Sequence, residues 1–315
     1  MEKYRIEPYK QEYMEQIVAG WNETLIFDPI SEERFLQQVL LDENFDSKLA
    51  LVLLIEDKVA GFCFGIKRKY PYLTRGLEEN RGWISTMFVR TEYQGRGYGK
   101  ALLNEVEKRL KKEHVKEITL CAYSPNYFTP GVDLKYEKAL PFFEQNGYVK
   151  GLDAVSMQRE LFSYSIPGKT QDMIEQLKEE GISFNTYSFL YMEKLLDFVR
   201  REFDAGWVRN ILQAIRNGEA EDTILIATDI EDQVIGYCMR KIDGNDARFG
   251  PIGVKESIRS KGIGGILFDL QMREMQKRGI YYAYFLWTHG AAIRFYERHG
   301  MSVYRTYQLY RKNIM

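Results

Sequence analysis

One short device occurs twice in this chain, and its double occurrence limits the fold more than any other feature. "EYQGRGYGKALL", Glu92 to Leu103, and "SIRSKGIGGILF", Ser257 to Phe268, each run a glycine-rich loop straight into a helix of apolar periodicity. The surrounding segments repeat as well. "EDKVAGFCFG" from Glu56 resembles "EDQVIGYCMR" from Glu231, an offset of 175 residues. "YME" at Tyr13 and Tyr191 gives 178, and the loops at Gln94 and Arg259 give 165. "ALPFFEQNGY" from Ala139 against "AIRFYERHGM" from Ala292 gives 153. An offset that falls stepwise through one order of elements marks a duplicated domain. The first copy carries two extra loops, within Lys67–Gly82 and at Ser124–Glu137. A chain of 315 residues has room for two domains at roughly 150 residues each.

Each copy predicts the same series. A strand and helices come first, then a hairpin turning at Glu-Asp (Leu49–Ile55 with Val59–Phe64; Ile224–Ala227 with Val234–Met239). A further strand (Trp83–Val89; Arg248–Val254) enters the glycine loop and its helix. Another strand (Glu117–Tyr123; Tyr281–Trp287) and a helix stopped by Gly147 or Gly300 follow. A closing strand ends each copy (Val155–Leu161; Val303–Tyr310). The expected division is 1–162, a linker at 163–181 with Pro-Gly punctuation and one polar helix, and 182–315.

The loops are built for an anion. Unpaired amides at a helix start carry the positive end of the dipole, and glycine lacks the Cβ that would block a phosphate. A Walker loop is excluded by spacing and by Ala101 after Lys100. A dinucleotide fingerprint belongs near the first strand of a domain and has a spacing that neither loop shows. A plain tight turn between strand and helix is the bland alternative.

The pattern [QR]-x-x-G-x-[GA] after a mid-domain strand, Gln94–Gly99 and Arg259–Gly264, resembles the acyl-CoA loop of the GNAT N-acyltransferase superfamily. The layout is similar to the tandem, mycothiol synthase branch. The resemblance implies an α/β fold of two tandem domains. Each would hold a mixed, mostly antiparallel sheet with a splayed parallel strand pair at the acyl-CoA cleft, flanked by helices. It implies acetyl-CoA, or another short acyl-CoA, as co-substrate and an amine of a small molecule or peptide as acceptor. The pyrophosphate would lie on Gln94, Gly95, Arg96, Gly97, Tyr98, Gly99 and Lys100. The second copy would use Arg259, Ser260, Lys261, Gly262, Ile263, Gly264 and Gly265. Backbone at Phe88 and Val89, or Gly253 and Val254, would pair with pantetheine.

The family's acid, the tyrosine of Phe-Tyr-Glu, survives in the second copy as Phe295-Tyr296-Glu297; the first has Phe142-Phe143-Glu144. Phenylalanine has no proton to give, so the resemblance places chemistry at Tyr296. Packing is the bland reading, since Ala292, Phe295 and Tyr296 share a helix face. Where the family usually has asparagine, this chain has Tyr136 and His289. Tyr136 could in principle replace the missing acid of the first copy. The alternative is an acyl-CoA-binding sensor or scaffold with little turnover, in one or both copies and at least in the first. No general base is legible; Asp243 and Asp246 lie in a turn of unknown direction.

Composition narrows the rest. A formal net charge of -1 shows no basic field for nucleic acid. The charged opening "MEKYRIEPYKQEYM" is unlike a signal peptide, and the longest aliphatic run, Leu49–Ile55, is far below the ~20 residues of a membrane span. Three cysteines without C-x-x-C and three scattered histidines suggest neither disulfides nor a metal. A cytoplasmic protein of undetermined oligomeric state is the expectation. Tyr70, Tyr72, Tyr123, Tyr127 and Phe128 of the extra loops suit a pocket or an interface between copies equally.

Overall fold

The computed structural model describes residues 3–314. It forms two units: residues up to Ala154 together with those from Arg305 onward, and Val155–Tyr304.

In the first unit, β1 (Tyr4–Pro8), α1 (Met14–Thr24) and α2 (Glu32–Phe35) precede a hairpin of β2 (Ala50–Ile55) and β3 (Lys58–Ile66). The chain continues through β4 (Arg81–Val89), α3 (Tyr98–Lys112), β5 (Glu117–Leu120), β6 (Val132–Asp133), α4 (Ala139–Gln145) and β7 (Val149–Glu160), whose first half lies here. The hairpin turns where the sequence places Glu56-Asp57, both left-handed, which suits the twist of paired strands. β2 and β3 are buried throughout apart from Lys58, because both sheet faces are covered. Leu102, Leu103, Val106 and Leu110 of α3 share one core with alternate residues of the sheet; Ile17 and Trp21 of α1 share the other. β1 to β4 are antiparallel neighbours, and β4 runs parallel to β5.

Both extra loops are tied down inside this unit. The buried Arg68 guanidinium lies 4.8–4.9 Å from the ring centres of Tyr72, Trp83 and Tyr123. It pairs with Glu78 at 3.0 Å and donates to the Ser124 carbonyl at 2.7 Å. Tyr123 and Phe128 join the core around Trp21 and Trp83, while Tyr70 is exposed.

The second unit contains α5 (Gly168–Glu179), β8 (Ser183–Thr186), α6 (Met192–Glu202), α7 (Ala205–Arg216), α8 (Ala220–Thr223), β9 (Ile224–Thr228) and β10 (Val234–Arg240). β11 (Phe249–Val254), α9 (Ile263–Lys277), β12 (Tyr282–Thr288) and α10 (Ala291–Arg298) follow. β8 to β11 form an antiparallel sheet. Residues 163–181, expected as a linker, hold α5, whose Leu177 is buried in the core with Leu267 and Phe268. Two hydroxyls explain the docking: Thr170 donates to the buried Asp269 at 2.7 Å and Tyr164 at 3.0 Å.

The closing strands depart from the sequence expectation. From Val155, β7 pairs with β12 in the second unit. The final strand, β13 (Ser302–Asn313), belongs from Arg305 to the first unit, where Arg311, Lys312 and Asn313 pair with Thr119, Ile118 and Glu117 of β5. Burial is the reason: Tyr307 and Tyr310 are fully buried in the first unit, Met157 and Leu161 in the second. Alternating apolar residues show that a strand has a core face but not which sheet receives it. Among the described residues no helix is long and apolar enough to cross a membrane, and no group of histidine, cysteine or carboxylate side chains could hold a metal.

Candidate functional site

In the first unit β4 and β5 pair from Arg81/Glu117 to Ile84/Leu120, and there the pairing ends. Cys121 and Ala122 take left-handed φ values of 54° and 50°, diverting the chain into the second extra loop. β4 continues through Ser85–Val89, held on its other edge by β3, with Phe88 opposite Phe62 and Val89 opposite Gly61. One edge of β4 is thereby left for an extended ligand's hydrogen bonds. Ser85 occupies the bulge between the Ile84–Gly65 and Thr86–Phe64 pairs. It is buried, and its Oγ has no hydrogen-bond partner among the described residues.

The glycine loop follows. Gln94 Nε2 donates to the Val89 carbonyl at 2.9 Å, fixing the loop to the strand end. Gly97 caps α3 at φ 85°. The first helical bond runs from the Ala101 N–H to the Gly97 carbonyl at 3.1 Å, so the amides of Tyr98, Gly99 and Lys100 lack helical partners. A Cβ on Gly95 would meet nothing within 4 Å, so the loop is open there. Arg96 and Lys100 are exposed beside it, while Tyr98 turns into the core.

The second unit repeats this geometry with different residues. Arg259 Nε donates to the Val254 carbonyl at 3.2 Å, and Gly262 caps α9 at φ 84°. Ile266 N–H bonds the Gly262 carbonyl at 3.1 Å, leaving the amides of Ile263, Gly264 and Gly265 free of helical partners. A Cβ on Gly262 would stand 2.0 Å from Met173 Cε, the end of a flexible side chain on α5, and Lys261 is held by Glu180 at 3.0 Å. Both loops fit a pyrophosphate by their amides and dipole; in the second, Met173 must turn aside.

Gly95 is left-handed at φ 74°, and its counterpart Ser260 keeps φ at 84° without being glycine. Left-handed backbone costs an ordinary residue about 1–2 kcal/mol. Ser260→Gly is expected to stabilise the second unit by about 1 kcal/mol, somewhat offset by unfolded-chain entropy. A higher denaturation midpoint at unchanged slope is the expected result; an unchanged or lower midpoint would show no strain at Ser260.

Arg248, the residue just before β11, makes an isolated parallel bridge with Tyr284 of β12. Gly253 and Val254 pair with Tyr237 and Gly236 of β10, and a Cβ on Gly253 would come within 2.3 Å of the Phe203 ring. Phe285, one residue past the bridge, lies 4.5 Å centre to centre from Tyr296. Phe249, Phe268 and Phe295 surround the same ring. Burial, with Cys238 nearby, pushes the Tyr296 hydroxyl well above the usual tyrosine range, so it keeps its proton at neutral pH. Its counterpart Phe143 is buried against Tyr148 and Tyr310.

Other candidates are structural. Asp243 pairs with Arg248 at 2.7 Å and Asp246 with Arg240 at 3.4 Å, so neither is a free base. Cys63 and Cys238 are buried at matching positions with thiols pushed up by burial, and burial takes Cys121 to about 11. His289 is exposed. Tyr136 is held by Asp28 and, through it, by Arg305, two residues with no signal in the local sequence; Ser85 carried none either.

A model described as the acetyltransferase (GNAT) family matches residues 10–148 and again 190–301. Among solved structures, a GCN5-related glucosamine N-acetyltransferase region of a fungal multi-domain GH3 β-N-acetylglucosaminidase superposes with a TM-score of 0.80 at 20% identity. That match covers 99% of this chain and 38% of the fungal one, so this chain spans well under half the length of that relative. A GCN5-related N-acetyltransferase from Sphaerobacter thermophilus gives 0.70 at 18% identity, covering 99% and 96% of the two chains. A tandem GNAT protein from the clavulanic acid biosynthesis pathway gives 0.65 at 13%, covering 99% and 98%. At these identities the likeness to solved structures is one of fold.

Proposed function

The chain belongs to the acetyltransferase (GNAT) family, and from that premise we propose that it transfers an acetyl group from acetyl-CoA, or another short acyl-CoA, to an amine of a small molecule or peptide. One observation carries the reading: each of two strand-to-helix loops ends in a left-handed glycine that leaves three helix-start amides free. Beside each loop a strand runs on past the end of its parallel pairing, at Ile84/Leu120 in one unit and at Arg248/Tyr284 in the other.

The acyl-CoA supplies an activated thioester; the chain holds and orients it. Amides of Gln94–Lys100 and Arg259–Gly265 would take the pyrophosphate, and backbone at Phe88–Val89 and Gly253–Val254 the pantetheine arm. Tyr296, still protonated at neutral pH, gives its proton to the departing sulfur. Phe143 cannot, which alone would make the first copy a binding module.

Calorimetric titration with acetyl-CoA tests the cofactor assignment without a known acceptor. Two sites per chain are expected, one lost in Gly97→Val and the other in Gly262→Val, since a side chain fills the space where phosphate approaches. No binding by the wild-type chain would sink the acyltransferase reading.

A further inference from the structure

We propose that α5 gates the second glycine loop: the Met173 side chain fills the approach to Gly262, Glu180 holds Lys261, and acyl-CoA enters this site only as both give way. The proposal rests on the acyltransferase reading and adds to it a control on one of the two loops.

The gate is one face of a docked helix. Met173, Gln176, Leu177 and Glu180 stand at i, i+3, i+4 and i+7, so α5 and its C-terminal cap Glu180 present them on one side. Leu177 anchors that side in the core with Leu267 and Phe268 of α9, the helix that the loop begins. Nearer the start of α5, Thr170 donates to Asp269 of α9 at 2.7 Å, and Tyr164 does so at 3.0 Å. Asp269 also faces His299 at 3.5 Å. These contacts fix the helix without using any group of the loop, and the docking decides what its other side chains reach.

They reach the loop. Met173 Cε lies 2.0 Å from the place that a Cβ on Gly262 would take. Glycine leaves that place open for a phosphate, and here a methyl group stands in it. Gly262 is half-buried, whereas its counterpart Gly97 is exposed. Lys261, one residue before the cap, pairs with Glu180 at 3.0 Å. The loop's own cation is thereby occupied, and a carboxylate beside a phosphate site also repels the incoming anion.

The same elements leave room to open. Met173, Gln176, Leu177, Glu180 and Lys261 line a hollow of about 150 Å³. An unbranched methionine turns about three bonds, so Met173 can swing from Gly262 into the hollow while α5 stays docked. Lys261 then exchanges Glu180 for a phosphate oxygen. A ligand shifts such an equilibrium by its differing affinity for the two states. The difference is built in, because the closed state gives the anion neither the glycine's open side nor the lysine.

The test reads the second site alone, in a chain carrying Gly97→Val. Acetyl-CoA is titrated calorimetrically into that chain and into the same chain with Met173→Ala, with Glu180→Gln, and with both. Binding is expected to tighten about 3-fold with each change and about 10-fold with both, the scale of a displaced rotamer and an exposed ion pair. The same two substitutions in a Gly262→Val chain, which keeps only the first site, are expected to leave affinity unchanged. Glu180→Gln alters an exposed side chain, so its effect is independent of how the fold tolerates Met173→Ala. A second readout is methyl NMR: the Met173 Cε resonance of the Gly97→Val chain is expected to move as acetyl-CoA saturates it. Second-site affinity that is unchanged or weaker in Glu180→Gln and in the double variant overturns the proposal, as does a second site that binds in none of these chains. Equal tightening at the first site, or a stationary Met173 methyl, overturns it too. In each case binding at the first site still upholds the acyltransferase reading. Absence of acetyl-CoA binding to the wild-type chain overturns both.

Discussion

Tyr296→Phe is expected to lower turnover by about 10²–10⁴, with acetyl-CoA binding retained. The magnitude is that of a positioned acid acting on a leaving thiolate. Four phenylalanine rings lie 4.5–6.5 Å, centre to centre, from the Tyr296 ring, and no hydrogen bond contributes to its raised pKa. Removing the oxygen therefore strands no partner, and the ring of phenylalanine fills the same space. Stability should change little, which separates this variant from a packing defect. The sign of the pH effect follows from the direction of the shift. A donor must be protonated, and its pKa is raised, so the alkaline limb of turnover lies above the range of an ordinary tyrosine. A turnover equal to that of the wild-type chain would remove Tyr296 from the chemistry and leave it a core residue.

The parts of this protein that repeat were legible in its sequence, because periodicity and loop chemistry are local. The hairpins at Glu56 and Glu231, both glycine loops and the helices behind them stand where the offsets put them. What the sequence hid depends on contacts between distant positions. Arg305 and Asp28 lie 277 residues apart, and neither has a neighbour in sequence that marks it. The helix α5 looked like a polar linker because most of its length is solvent-facing; a buried carboxylate at Asp269 and one leucine dock it. Volume exchange was equally invisible. In the first unit Phe88 of β4 presses on Gly20 of α1, where a Cβ would stand 2.8 Å from the ring. By the repeat offsets these positions become Gly253 and Phe198 in the second unit, and there a ring from the helical side, Phe203, lies on the strand glycine. Each sheet receives one aromatic layer at this level, supplied from opposite sides, so comparing single positions between copies suggests loss where the packed volume is kept.

The strand exchange has the largest consequence for stability. Residues 1–162 expressed alone, the first copy as the sequence divides it, are expected not to fold cooperatively. That fragment lacks Tyr307, Tyr310 and Ile314, all buried in the first unit. Fully burying one such side chain is worth about 1.5–3 kcal/mol. It also lacks Arg305, leaving the buried Asp133 without its cation, and removing one partner of a buried pair costs about 3–5 kcal/mol. The bonds from Tyr310 to Glu144 and from Lys312 to Glu107 go too, and β5 loses its pairing from Glu117 to Thr119. These losses together match the ~5–15 kcal/mol that holds an entire domain. An unpaired β5 edge beside an exposed core also invites aggregation. Joining residues 305–315 to the fragment after Ala154 through a flexible linker is expected to restore a single sharp urea transition and dispersed amide resonances. A cooperative transition in 1–162 itself would mean that the last strand is dispensable, and that Arg305 is not needed to hold Asp28 beside Tyr136.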